Sequence, residues 1–127
     1  MSNVADDRRY STEHEWIAPH AGSHARIGVS HVAADALGDI VYLDLPQPGQ
    51  AITAGEVCGE IESTKSVSEL YAPVTGVVTE INDDAVANPE LVNEDPYGTG
   101  WLFIVDVTAE GPLLDAAEYA AQNGLQG

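Results

Sequence analysis

The chain has 127 residues, 4 Lys and Arg against 21 Asp and Glu, and a formal net charge of -17 at pH 7. Such an excess of carboxylates excludes nucleic-acid binding through backbone phosphates, which needs clustered Lys and Arg, and it disfavours anionic membranes. Abundant Ala and Val with almost no Lys is the balance of a soluble protein kept in concentrated salt, where self-repulsion is screened; a salt-loving host is expected.

The length fits one domain with a modest core, assigned to residues 10–127 behind a flexible lead over residues 1–9. No run of apolar residues is long enough to span a bilayer. Met1 to Arg9 lack an apolar h-region, so a signal peptide is not expected. Cys58 is the single cysteine, which excludes an internal disulfide and fits a reducing compartment; the expected location is cytoplasmic. In its Val-Cys-Gly setting Cys58 reads as a buried small hydrophobe.

Tyr10 to Ala18, with Tyr10, Trp16 and Ile17 among polar residues, predicts an edge strand, and Ala25 to Val29 the next one. Ser30 to Leu37 predicts a short helix capped by Ser30 and ended by Gly38, with Val32, Ala33, Ala36 and Leu37 as its apolar face. From Ile40 the period changes to two, setting Val41, Leu43 and Leu45 on one face. Pro46 to Gly49 stops that strand. Val57 to Glu62 and Val74 to Ile81 read as strands, the second with a possible bulge at Gly76. The two share a glycine between valines followed by Glu-Ile, an internal echo suggesting two half-sheets in a flattened barrel or sandwich. Asn82 to Pro96 is turn-rich, anchored by Val86, Leu91 and Val92. Trp101 to Val107 alternates cleanly, with Trp101, Phe103, Val105 and Val107 on one side. Gly111-Pro112 opens a last helix with a stripe of Leu114, Ala117 and Ala121.

No catalytic constellation emerges. There is no Gly-x-Ser-x-Gly elbow, no carboxylate pair stands out from the surrounding acidity, and Cys58 has no positive neighbour to lower its pKa. His20, His24 and His31 are too dispersed for a zinc site. Lys65 is different. It is the only lysine, it lies in a polar turn from Ser63 to Ser68 between two apolar strands, and nothing about solubility requires it. A flexible four-carbon stem on an exposed turn suits covalent attachment. As a Schiff-base catalyst it would be poor, because Glu62 and Glu69 favour its protonated form. A carrier asks only for such a lysine, with chemistry left to the attached group.

Around that lysine the chain resembles the glycine cleavage H-protein family. The matching pieces are Tyr10 to Trp16, Leu37 to Leu43, Glu62-Ser63-Thr64-Lys65-Ser66, Leu70 to Gly76 and Asn88 to Gly98, leading to Gly100-Trp101. The resemblance runs from Tyr10 to about Tyr119. It implies a mainly β barrel-sandwich hybrid of two small antiparallel sheets, lipoyl/biotinyl-like, with a short helix in the N-terminal half and a C-terminal helix. It implies lipoate in amide linkage to Lys65, with Glu62, Glu13 and His14 as candidates for the cleft that shields the arm. The chain would then be a non-catalytic carrier. It would take an aminomethyl group from the pyridoxal-phosphate glycine decarboxylase to the tetrahydrofolate-dependent aminomethyltransferase, and be reoxidised by dihydrolipoamide dehydrogenase. A lipoate-attaching enzyme is a further implied partner, and a monomer is expected. Thr64 departs from the valine often found before the lysine, with a similar β-branched shape.

Three rivals stand beside this reading. Lipoyl domains of 2-oxoacid dehydrogenases usually lack the Tyr-Gly-x-Gly-Trp region. Biotinyl domains normally place methionines around the lysine, where Thr64 and Ser66 stand here. A carrier that mainly passes lipoate to other enzymes is poorly separated by sequence.

Overall fold

The structure is a computed structural model that describes residues 8–11, 14–19, 22–110 and 113–122. Its first strands form a hairpin where the pattern predicts one edge strand: β1 (Arg9–Tyr10) turns back into β2 (Glu15–Pro19). The reversal is fixed locally. Ser11 N–H donates to the Glu15 carbonyl at 2.8 Å, and His14 adopts φ 73°, a left-handed conformation that costs a non-glycine residue. Arg8 and Arg9, assigned on sequence to the lead, are held as well. The Arg8 guanidinium lies 4.4 Å from the Trp16 ring centroid, and Arg9 pairs with Glu110.

Then follow β3 (His24–Val29), α1 (His31–Leu37), β4 (Ile40–Asp44), β5 (Ala51–Ile52), β6 (Val57–Ser63) and β7 (Val67–Tyr71). The remaining elements are β8 (Val74–Ile81), α2 (Asp83–Ala87), α3 (Glu90–Glu94), β9 (Phe103–Glu110) and α4 (Ala116–Gln122). They build two antiparallel sheets, ordered β1-β2-β3-β9-β8-β5 and β4-β6-β7. The sheets face each other across the main core. Ile27, Val29, Val74, Val78, Phe103 and Val105 come from the larger sheet, and Leu43, Ile61 and Leu70 from the smaller. Full burial of each such side chain stabilises by roughly 1.5–3 kcal/mol before entropy is charged against it. A second cluster of Tyr10, Trp16 and Tyr119 covers the opposite face of the larger sheet, so β2 buries Trp16 on one side and Ile17 on the other.

Several predicted patterns change in the fold. Ile40 and Leu43 are both buried and Val41 is exposed, because a register shift between Ile40 and Tyr42 breaks the alternation of β4. Asn82 to Pro96 contains α2 and α3, whose buried members are Ala85 and Val92 while Val86 is exposed. β9 begins at Phe103 and buries Phe103, Ile104 and Val105 consecutively, since both of its faces are covered. The last helix starts later than Pro112 suggests, and Gly111-Pro112 lies outside the described residues. Leu114 exchanges two backbone hydrogen bonds of 2.7 Å with Tyr10, which holds it extended, and α4 then buries Tyr119 instead of Ala117 and Ala121.

The internal echo is structural. Gly59 and Gly76 each sit at a ladder irregularity in a different sheet. A Cβ on Gly59 would overlap the Asp44 carbonyl oxygen, and one on Gly76 that of Asp106. Gly59→Ala should therefore lower stability by about 1–3 kcal/mol, read as a lower urea midpoint with an unchanged m-value.

Candidate functional site

Lys65 is at the tip of the β6–β7 hairpin, exposed, with Thr64 beside it. The tip contains no glycine, and neither Thr64 nor Lys65 takes positive φ. The buried Ser63 hydroxyl shapes it instead, accepting from the N–H groups of Lys65 at 3.2 Å and Ser66 at 3.1 Å. A serine that satisfies the backbone two and three residues on is a local turn former. Thr64 N–H donates to the Asp39 carbonyl at 3.0 Å, docking the tip on the corner between α1 and β4.

That corner is itself pinned. Ser30 caps α1, accepting from Ala33 N–H at 3.2 Å, and Gly38 ends it with φ 81°. Asn93, on α3, accepts from Ile40 N–H at 2.9 Å and donates to the Gly38 carbonyl at 2.7 Å. The Lys65 stem lies across Gly38, where an added Cβ would come within 2.8 Å of Lys65 Cε. Absence of a side chain at Gly38 thus serves both the left-handed cap and the path of the lysine.

Beside the tip a groove of about 420 Å³ runs between α1 and β7. Ala33, Ala36 and Leu37 form the helix wall; Val67, Ser68, Glu69 and Tyr71 form the strand wall; His14 also lines it. Three consecutive strand residues in one wall place the groove along the edge of β7. The Ser63 N–H bonds the Ser66 carbonyl at 2.8 Å, so ladder alternation turns the N–H and C=O of Val67 and Glu69 away from β6. Other sheet edges are blunted: β1 by the Leu114 bridge, β5 by its brevity, β4 by Asn93 at Ile40. Among the described residues no hydrogen bond or strand covers the β7 edge along the groove.

The sequence candidates separate in space. Lys65 lies exposed at the hairpin tip, and His14 lines the groove, its Nδ1 2.6 Å from the Tyr119 hydroxyl. Its φ of 73° is backbone strain at the site that costs of order 1–3 kcal/mol. Glu62 is exposed on β6 opposite Tyr42 and Val67; it is the cross-strand neighbour of a groove-wall residue but does not itself line the groove. Glu13 lies outside the described residues. Sequence reasoning assigned Ala33 and Ala36 to the core-facing side of α1, and missed Ser68 and Glu69. Ala33 and Ala36 do carry a signal, small residues three apart on a helix following a cap. Burial raises the Cys58 thiol to about 12, with Glu15 adding to the shift. Among the described residues no three His, Cys, Asp or Glu side chains converge to hold a metal, and His20 lies outside them. No helix among the described residues is long and apolar enough to cross a membrane.

Two antiparallel sheets with a lysine-tipped hairpin and flanking helices define a lipoyl/biotinyl-like barrel-sandwich hybrid. The family model "Glycine cleavage H-protein" matches residues 8–123. The glycine cleavage system H protein of Beutenbergia cavernae is 58% identical over 119 residues, covering 94% of this chain and 95% of that protein. That of Corynebacterium aurimucosum is 50% identical over 129 residues, covering 98% and 99%. The crystal structure of a glycine cleavage system H protein from Mycobacterium marinum superposes with a TM-score of 0.91 at 50% identity, covering 96% of this chain and 100% of that one. The chain belongs to the glycine cleavage H-protein family.

Two outcomes follow from the site geometry. Asn93→Ala strands the Ile40 N–H and the Gly38 carbonyl; it should cost about 1–3 kcal/mol and speed amide exchange at Ile40 and Thr64. Below its raised pKa of about 12 the Cys58 group stays a thiol. A disulfide reagent at pH 8 should therefore modify the native protein far more slowly than the urea-unfolded chain, because the thiolate is the nucleophile.

Proposed function

We propose that this chain is the lipoyl-bearing carrier of the glycine cleavage system, with lipoate in amide linkage to Lys65. The observation that carries the reading is the only lysine of a family member standing on a braced hairpin tip beside a partly apolar groove. The residues fit such an arm. The stem already lies over Gly38, and a groove of about 420 Å³ lies within the size range of small-molecule sites, roughly 300–1,000 Å³. When bound, lipoate would supply the disulfide that takes an aminomethyl group from glycine decarboxylase, yields it to the aminomethyltransferase, and is restored through dihydrolipoamide dehydrogenase.

The chain's own residues present and shelter that group. Ser63 and the Thr64–Asp39 hydrogen bond hold the tip, so a lipoate-attaching enzyme meets an exposed amine at a fixed place. Ala33, Ala36, Leu37, Val67 and Tyr71 offer apolar walls that exclude water from a parked arm, while His14, Ser68 and Glu69 are polar groups along it. The chain acts as a cytoplasmic monomer without catalysis of its own. On the outer face, Asp44, Glu60 and Glu69 lie directly opposite one another across β4, β6 and β7. Such a row of like charges destabilises the free sheet and suits partners with basic surfaces, whose docking weakens with salt.

Intact mass of the protein from its natural host tests the assignment. The native chain should carry a lipoyl increment that disappears in Lys65→Arg, and glycine decarboxylase turnover with that variant should drop to background. An unmodified native mass in a lipoate-making host would sink the reading, and a biotin increment would move the chain to the carboxylase carriers.

A further inference from the structure

Tyr119 connects the C-terminal helix to the groove through a short polar chain. Its ring stacks on Tyr10 at 4.4 Å and 11°, and the residue is fully buried. Its hydroxyl is 2.7 Å from Ser30 Oγ and 2.6 Å from His14 Nδ1. Directions in this chain follow from burial. Ser30 is wholly buried, and its Oγ accepts the capping N–H of Ala33. Its own O–H must still donate, and the Tyr119 oxygen is the neighbour it meets. With Ser30 donating to it, the Tyr119 hydroxyl has its own proton to give, and His14 Nδ1 lies 2.6 Å away. Burial also raises the Tyr119 phenol to about 12, which keeps its proton in place near neutrality.

We propose that Tyr119 is the positioning residue for His14: its hydroxyl donates to Nδ1 and fixes the neutral ring as the Nε2–H tautomer. His14 then offers the groove a hydrogen-bond donor. The ring is held from two sides, by the left-handed backbone at φ 73° and by the hydroxyl of a helix 105 positions along the chain. The donor suits an uncharged acceptor on whatever occupies the groove, such as an amide carbonyl; that the occupant is the lipoyl arm rests on the function proposed above.

Long-range 1H–15N spectra of the full chain labelled with 15N-histidine test the assignment on the neutral rings, with His14→Gln to identify the resonances. The expected wild-type pattern is a bare Nδ1 and a protonated Nε2. Tyr119→Phe keeps the stacked ring but removes the donor, and should move His14 toward a mixture of tautomers. A protonated Nδ1 in the wild type, or an unchanged pattern in a folded Tyr119→Phe, overturns the proposal. The wild-type spectrum decides even if that variant does not fold. In the Lys65-lipoylated protein, exchange of the Nε2 proton with water should slow several-fold. An unchanged rate with the tautomer as assigned counts against the arm as occupant and leaves the role of Tyr119 standing.

Discussion

The hydrogen bond from Thr64 N–H to the Asp39 carbonyl couples two parts of the chain that have no covalent reason to meet. A two-residue hairpin tip pairs only with itself and frays readily. Docked on the α1–β4 corner, it inherits that corner's order. The corner depends in turn on the Ser30 cap at one end of α1 and on Gly38 at the other, with Asn93 holding the exit into β4. The backbone of one exposed lysine is thereby kept in a constant place by hydrogen bonds to a braced corner, which its own side chain could not supply.

The charge pattern has the opposite character. Local rules for sheets argue against three carboxylates side by side, yet Asp44, Glu60 and Glu69 occupy such a row. Two-sheet burial of Leu43, Ile61 and Leu70 beneath the row outweighs the repulsion of solvated charges, which water and salt screen heavily. The smaller sheet can therefore carry an acidic outer face without losing its inner one.

What was legible in the sequence was whatever local chemistry decides. Ser30 and Gly38 announce α1, the polar run around Lys65 between apolar strands announces the hairpin, and Gly76 announces its bulge. The remainder depends on partners distant in the chain. Leu114 reads as helical until Tyr10 captures its backbone, and Val41 reads as core until a register shift against β6 turns it outward. The hairpin at Ser11 to His14 uses positive φ at a histidine, where no glycine advertises it. The groove was the least legible part, because its walls come from α1 and β7 and its His14 from the first hairpin. No periodicity within one segment reveals a surface made between three.

The open edge of β7 bears on how firmly an arm could rest in that groove. Apolar walls favour covering, but the N–H and C=O groups of Val67 and Glu69 face the same space. A lipoyl arm carries one amide, which cannot satisfy four backbone groups. Each buried group left unpaired costs about 1–3 kcal/mol, comparable to the gain from burying an aliphatic side chain. On the proposed reading the two effects oppose each other, so a parked arm is held less tightly than the apolar walls alone would hold it. A carrier that must surrender its arm to several enzymes in turn has use for such a balance; a fully paired edge with the same walls would hold the arm more tightly and slow each hand-over.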